Sequence, residues 1–103
     1  MKYSKVASVG DIKEGKIKRV ELEGIAIAIA NLEGEYFAIS DTCSHEEASL
    51  SEGELEGNVI TCPKHGSRFD VKTGRALSLP AMFPVPSYEV KVEGTDIKVA
   101  IND

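Results

Sequence analysis

The sequence has few cysteines, no long apolar run and a shortage of positive charge. Two cysteines are too few for the disulfide framework of a small secreted scaffold. The longest uninterrupted apolar run covers only residues 25–30, whereas a membrane-spanning helix needs about 20 apolar residues. Twelve lysines and arginines stand against 17 aspartates and glutamates, for a net charge of −5. That balance argues against generic nucleic-acid binding, which needs clustered basic side chains to neutralise phosphates.

The length and the N-terminal segment indicate one small domain in a reducing compartment. A chain of 103 residues fits a single domain. No apolar signal segment follows residues 1–5, so we predict a cytoplasmic protein. In a reducing compartment, the two cysteines are expected to be metal ligands or buried thiols.

The residue pattern predicts short β-strands and no helix of normal length. Residues 16–22 alternate charged and aliphatic side chains, which is typical of a half-buried strand. Residues 25–30 place isoleucines on one face and alanines on the other, which predicts a central strand between two layers. A final hairpin joins residues 87–93 and 96–101 through a turn at Gly94. We therefore predict an all-β antiparallel sandwich or barrel, with further strands at 3–9, 36–40, 58–61 and 67–71.

The middle of the chain interrupts this strand framework. The regular pattern breaks after Asp41 and does not fully resume before residue 87. Three of the four prolines lie between residues 79 and 86, which predicts a stiff loop because proline fixes φ and lacks an N–H donor. We predict a single domain over residues 1–103, in which a β framework (about 1–40 and 87–103) carries an inserted portion (about 41–86).

Both cysteines and both histidines lie in one short stretch of this inserted portion. Their order is Cys43-x-His45, sixteen residues, then Cys62-x-x-His65. Each pair is close enough in sequence for one short loop to present both side chains to a single centre. The spacing therefore predicts two loops that share one metal site.

Three interpretations of these four residues are open at this point. Buried thiols with unrelated surface histidines would not explain the clustering. A structural zinc ion suits two thiolates and two imidazoles, although zinc fingers usually group cysteine with cysteine and histidine with histidine. A [2Fe–2S] cluster with two cysteines on one iron and two histidines on the other explains why each loop supplies one of each. We favour the cluster.

The ligand pattern and the sequence around it resemble the Rieske [2Fe–2S] proteins. The similarity extends through residues 50–53, 55–58, 65–70 and 73–76, and includes the proline loop and the final hairpin. Nearly the whole chain is similar to the small soluble Rieske ferredoxins that serve multicomponent aromatic-ring dioxygenases. This resemblance implies a Rieske-like antiparallel β-sandwich or barrel, in which residues 41–86 form a two-loop cluster-binding subdomain.

The resemblance also implies the ligands and their neighbours. Cys43 and Cys62 are expected to bind the inner iron, and His45 and His65 the outer iron through one ring nitrogen each. The residues expected around the cluster are Gly66, Ser67, Phe69, Lys64 and Pro80.

Each of these neighbours has an expected role. Gly66 is expected to let the backbone pass close to the cluster, and Pro80 to belong, with Pro84 and Pro86, to a shielding loop. Ser67 matches a serine that donates to a bridging sulfide in high-potential members, whereas Phe69 replaces a tyrosine that donates to a cysteine sulfur. The loss of one of these two hydrogen bonds implies a low or intermediate potential within the Rieske range.

Two further positions rule out a bridge between the loops. Respiratory Rieske proteins tie the two loops together with a disulfide, and its cysteines are replaced here by Ala48 and Lys64. The resemblance therefore implies loops that are held together without a covalent link.

The implied function is one-electron transfer with one cluster per chain, in a protein that is not itself an enzyme. The expected donor is a flavin-dependent reductase, and the expected acceptor is a Rieske-type oxygenase or another terminal oxidoreductase. The alternatives are the small subunit of a nitrite-reductase-like enzyme and, in a different class, a zinc-stabilised interaction module. A carrier that must meet two partners is expected to be a monomer.

Acidic residues around the first loop suggest how a partner is attracted. An acidic rim would steer a basic partner patch, whereas an ordinary solvated surface would have no such role. The residues in question are Asp41, Glu46, Glu47, Glu52, Glu54 and Glu56.

Overall fold

Nine strands form two antiparallel sheets in the computed structural model, which describes residues 2–43, 48–64, 66–78 and 83–101. His45, His65 and Pro80 lie outside the described residues, as do Glu46 and Glu47. The strands are β1 (Lys2–Ser8), β2 (Ile17–Leu22), β3 (Ile25–Leu32), β4 (Glu35–Ser40), β5 (Glu54–Glu56), β6 (Val59–Thr61), β7 (Arg68–Asp70), β8 (Ser87–Glu93) and β9 (Asp96–Ile101). Short 3₁₀ turns cover Val9–Asp11 and Leu50–Glu52.

The larger sheet holds six strands in the order β1-β9-β8-β4-β3-β2, and the smaller sheet holds β5-β6-β7. The two edge strands of the larger sheet, β1 and β2, also contact each other, so this sheet curls into a half-barrel. The predicted all-β antiparallel fold is confirmed. The smaller sheet lies within the predicted inserted portion of the chain.

Strand β3 separates two apolar cores. Ile27 and Ile29 are fully buried in the core inside the larger sheet, against Ile97 of β9. Ala28 and Ala30 face the opposite way and belong to the core beneath the smaller sheet. The predicted position of this strand between two layers is therefore confirmed, and the small alanine side chains leave room for the second core.

Two elements of the inserted portion were not predicted. The 3₁₀ turn Leu50–Glu52 and the strand β5 follow the first predicted loop, and β5 pairs with β6 over three residues. Three residues are too few to show a reliable alternation, so the sequence pattern does not reveal this strand. Gly53 joins the two elements, and a Cβ there would lie 1.8 Å from the carbonyl oxygen of Thr61.

Gly74 allows the turn after β7 to pack against the proline segment. Its φ is +81°, and a Cβ at this position would lie 2.1 Å from the carbonyl oxygen of Val85. The Val85 N–H donates to the Gly74 carbonyl at 2.9 Å. We expect Gly74→Ala to lower the free energy of unfolding by more than about 2 kcal/mol, because backbone displacement is added to the cost of about 1–2 kcal/mol for a left-handed alanine.

Gly94→Ala is the matched control for this substitution. Gly94 also has a positive φ, +62°, but an added Cβ would meet no heavy atom within 4 Å. It is therefore expected to show only the conformational cost, about 1–2 kcal/mol. Thermal unfolding followed by circular dichroism measures both, and equal losses of stability would show that the Gly74–Val85 contact is unimportant.

Candidate metal centre

The two predicted ligand loops are closed by equivalent backbone hydrogen bonds. The N–H of Cys43 donates to the carbonyl of Ala48 at 3.0 Å, and the N–H of Cys62 donates to the carbonyl of Ser67 at 2.7 Å. In both loops the cysteine therefore comes first, and its N–H binds the carbonyl five residues later. This repeated geometry places the two thiols at corresponding positions of two similar loops.

Both thiols are buried in the same apolar core. Cys43 is 4% exposed and Cys62 is 2% exposed, and both pack in the apolar core that contains Leu50, Ile60 and Phe69. The two cysteines do not form a disulfide. Two thiols from two loops that share one core suit a soft metal centre such as iron–sulfur or zinc. The described residues thus contain half of the predicted ligand set.

The second loop is positioned by the hairpin of β6 and β7. Thr61 pairs with Arg68 at the end of this ladder, directly before Cys62 and after Ser67. Gly66 has a φ of +73°, and its N–H donates to the Cys62 carbonyl at 3.1 Å. A Cβ on Gly66 would meet no protein atom within 4 Å. Glycine is therefore favoured at this position by the positive φ and not by a close contact with another part of the protein.

The other predicted neighbours differ in their exposure. Ser67 and Phe69 are fully buried, whereas Lys64 is exposed. In the proline segment, Pro84 and Pro86 are exposed while Val85 between them is buried in the same core as the cysteines. The described part of this segment therefore contacts the core through Val85.

The inclusion of Asp41 in an exposed acidic rim was wrong. Asp41 is 2% exposed, and its carboxylate accepts hydrogen bonds from the Ser49 hydroxyl and, at 2.8 Å, from the Ser51 N–H. Arg19 Nε lies 3.4 Å from Asp41 Oδ2. Glu54 is exposed, as the rim hypothesis expects, and the same holds for Glu52 and Glu56. The sequence alone does not show whether a charged side chain is buried. The contacts that Arg19 and the two serines make with Asp41 were therefore not predicted.

Several groups with shifted pKa values lie on the β8–β9 hairpin and on β1. The hydrogen bond from Lys98, followed by the charge of Lys91, lowers the pKa of Glu93, and the same hydrogen bond raises the pKa of Lys98. A hydrogen bond to Glu89 raises the pKa of Tyr3. These groups form exposed ion pairs and hydrogen bonds on the β framework. Their pKa shifts therefore come from surface pairing and do not mark an acid–base site.

The described part of the chain contains no helix with the length and apolar character needed to cross a bilayer.

Comparison with known proteins supports the cluster interpretation. The family model for the Rieske [2Fe-2S] domain matches residues 2–89. The ferredoxin component of biphenyl 2,3-dioxygenase from Rhodococcus jostii (strain RHA1) is 43% identical over 99 residues, which cover 96% of this chain and 92% of that protein.

Solved structures show the same similarity in three dimensions. The ferredoxin of carbazole 1,9a-dioxygenase from Nocardioides aromaticivorans IC177 superposes with a TM-score of 0.95 and 36% identity, covering 99% of this chain and 100% of that one. A ferredoxin in a complex of reduced oxygenase and oxidized ferredoxin of carbazole 1,9a-dioxygenase has a TM-score of 0.90 and 40% identity, with 95% and 92% of the chains covered.

The sequence motif, the fold and the relatives lead to the same assignment. The family model spans most of the chain, the relatives are named as ferredoxin components, and two buried thiols lie at equivalent positions of two loops. The predicted family, electron-transfer class and cofactor are confirmed together. This chain belongs to the Rieske [2Fe–2S] family.

Proposed function

We propose that this chain is a one-electron carrier that delivers electrons to a terminal oxygenase of the Rieske type. The observation that supports this most directly is the nearly complete mutual coverage between this chain and the ferredoxin of a carbazole dioxygenase, at a TM-score of 0.95. The family model favours a [2Fe–2S] cluster over the alternative of a zinc-stabilised module. The relatives described above favour a dioxygenase ferredoxin over a nitrite-reductase subunit.

We assign the cluster ligands to the four residues of the doubled motif. Cys43 and Cys62 hold the inner iron, and His45 and His65 hold the outer iron. The equivalent loop closures at the two cysteines support this assignment. When bound, the cluster takes up and releases one electron at a time.

The neighbouring residues shape the environment of this site. Ser67 and Phe69 are fully buried and exclude water from the inner side, while Lys64 and Gly66 lie on the exposed side of the second loop. We assign Pro80, which lies outside the described residues, to the proposed shielding loop with Pro84 and Pro86. The single domain over residues 1–103 divides into the framework (about 1–40 and 87–103) and the cluster-binding portion (about 41–86), which meet at the alanine face of β3.

The proposed partners follow from the relatives. A ferredoxin 40% identical to this chain has been captured with its oxygenase, which supports a Rieske-type oxygenase as the acceptor. A flavin-dependent reductase is the proposed donor, and we propose a cytoplasmic monomer that meets the two partners in turn.

Metal analysis and single-turnover kinetics test this function. The purified protein should be red-brown, contain about two irons and two acid-labile sulfides per chain, and bleach on reduction. After chemical reduction, it should be reoxidised by the oxygenase of a biphenyl or carbazole dioxygenase in a stopped-flow experiment. A colourless zinc protein would contradict the cofactor, and a reduced cluster that the oxygenase does not oxidise would contradict the role.

The exposed glutamates Glu52, Glu54 and Glu56, named here the acidic strip, are expected to speed association with a basic partner. They follow the first loop, and none forms an ion pair among the described residues. Replacing all three by glutamine should slow electron transfer by about tenfold at low ionic strength and flatten its salt dependence, because exposed charges steer diffusional encounter. Stopped-flow rates over a range of salt concentrations measure this effect.

A second triple variant controls for net charge. Glu14, Glu33 and Glu35 are also exposed and line a groove at the β3–β4 turn, at the opposite end of β4 from the one that leads to Cys43. Their replacement by glutamine changes the net charge equally and should change the rate much less. If both triple variants slow transfer equally, the acidic strip is not a docking determinant.

A further inference from the structure

The two ligand loops share the same closing hydrogen bond, but the strand ladder below it is shorter in the first loop than in the second. The second loop extends from the end of the β6–β7 ladder, where Thr61 pairs with Arg68. Among the described residues, the base of the first loop has the isolated bridge between Thr42 and Ser49, with one backbone hydrogen bond on either side of it. Side-chain contacts can therefore strengthen this short closure.

Asp41 lies at this base and connects both ends of the loop. Its carbonyl accepts the Leu50 N–H at 2.7 Å, and its Oδ1 accepts the Ser51 N–H at 2.8 Å. Its Oδ2 accepts the Ser49 hydroxyl. Residues 49–51 directly follow Ala48, whose carbonyl closes the loop onto Cys43. The Asp41 side chain thus adds two hydrogen bonds to a base whose backbone ladder is shorter than that of the second loop.

The same residue attaches the loop to the larger sheet. The Asp41 N–H donates to the Ala26 carbonyl at 3.0 Å, at the start of β3. Arg19 on β2 places its Nε 3.4 Å from Asp41 Oδ2. The Asp41 side chain is 3% exposed, whereas that of Arg19 is 48% exposed. The pair therefore consists of a buried negative charge and a partly solvated positive charge.

We propose that Asp41 is a positioning residue for the first ligand loop and that, with Arg19, it forms a charge pair that sets the reduction potential of the cluster. This inference rests on the proposed binding of the cluster by Cys43. Two residues of chain span at most about 7 Å between Cα atoms, so the backbone of Asp41 lies near that of Cys43. Its carboxylate binds Ser49, the residue after the Ala48 that closes the loop onto Cys43. Its negative charge opposes the arrival of an electron, and the positive charge of Arg19 partly offsets that opposition.

The two members of the pair predict shifts of opposite sign. Asp41→Asn removes the negative charge and keeps an oxygen that can accept the Ser51 N–H, so the potential should rise. At a separation of about 8–10 Å and an effective dielectric constant of about 20, the equilibrium constant for one-electron reduction should increase by about 20-fold. Arg19→Gln should lower the potential by a smaller amount, because Arg19 is half exposed and its charge is screened.

Redox titration of the holoprotein variants tests the charge pair. Glu21→Gln is the matched control, because Glu21 is an exposed carboxylate that accepts a hydrogen bond from Arg19 at 2.8 Å. It makes the same change in net charge as Asp41→Asn but should shift the potential much less. Opposite shifts in Asp41→Asn and Arg19→Gln, with little shift in Glu21→Gln, would support the proposal. Shifts of the same sign, or none in either variant, would overturn the electrostatic role.

Cluster retention tests the positioning role. Asp41→Ala removes the side-chain hydrogen bonds at the base of the loop, so an iron chelator should bleach this variant several-fold faster than the wild type. The electron paramagnetic resonance signal of its reduced cluster should also change, since the ligand geometry is altered. Wild-type bleaching rates and an unchanged signal would overturn the positioning role.

Arg19→Gln keeps the test decisive if the Asp41 variants fail to fold, since Arg19 is partly exposed and Asp41 keeps its other partners. A wild-type protein without a cluster would contradict the proposed function itself. A wild-type cluster with unshifted potentials would contradict only this inference.

Discussion

Replacing Cys62 by alanine is expected to give a colourless protein that holds no [2Fe–2S] cluster. Cys62 is buried at the start of the second loop, and alanine offers no ligand atom in its place. Thiolate ligation by protein is what holds an iron–sulfur cluster, so the loss should be complete. Iron and acid-labile sulfide analysis, together with the visible absorption spectrum, measures this outcome.

Two further variants show whether the loss is specific. Cys43→Ala should have the same effect, because Cys43 occupies the corresponding position of the first loop. Lys64 lies between Cys62 and His65 in sequence but is exposed, so the Lys64→Ala variant should retain the cluster. A Cys62→Ala protein with full iron and sulfide content would show that the ligand assignment is wrong.

Replacing Phe69 by alanine is expected to have the largest effect on the core beneath the cluster loops. Phe69 is fully buried on β7, opposite Ile60 of β6, and shares one core with both cysteines. Truncation of a buried phenylalanine costs about 3–5 kcal/mol through lost burial and the remaining cavity. Because small domains have only about 5–15 kcal/mol of stability, we expect a markedly lower thermal midpoint and faster cluster loss.

Phe83→Ala is the control for this experiment. Phe83 is 70% exposed, so its truncation removes little buried surface and should change stability by less than about 1 kcal/mol. Thermal unfolding and chelator-induced bleaching compare the two variants. If both variants lose equal stability, the core beneath the loops does not depend on the burial of Phe69.

The predictions from sequence succeeded where the information is local. The alternation of isoleucine and alanine in residues 25–30 predicted a strand between two layers, because side-chain direction in a strand has a period of two. The final hairpin was predicted from its two runs and the turn at Gly94. The strand β5 was not predicted, since three residues gain their strand geometry from pairing with β6.

The candidate site shows the same difference between local sequence information and contacts made only in the folded chain. The spacing of Cys43, His45, Cys62 and His65 within the chain was enough to predict the cofactor and the family, because ligand type and order are properties of the sequence. Asp41 was misjudged as part of an exposed rim. Its burial depends on Arg19 and on residues 49–51, which reach it only after the chain has folded.

The sequence by itself determined most of the strand framework, the doubled Cys–His motif and the kind of cluster, since each depends on residue type and near-neighbour spacing. Only the tertiary structure decided which charges are buried, why Gly74 must lack a side chain beside Val85, and how the first loop is held at its base. The physical reason is that these properties arise from contacts between segments that are distant in sequence or lie on different strands. Burial and pairing at such contacts depend on the packed arrangement, which residue type and local periodicity do not specify.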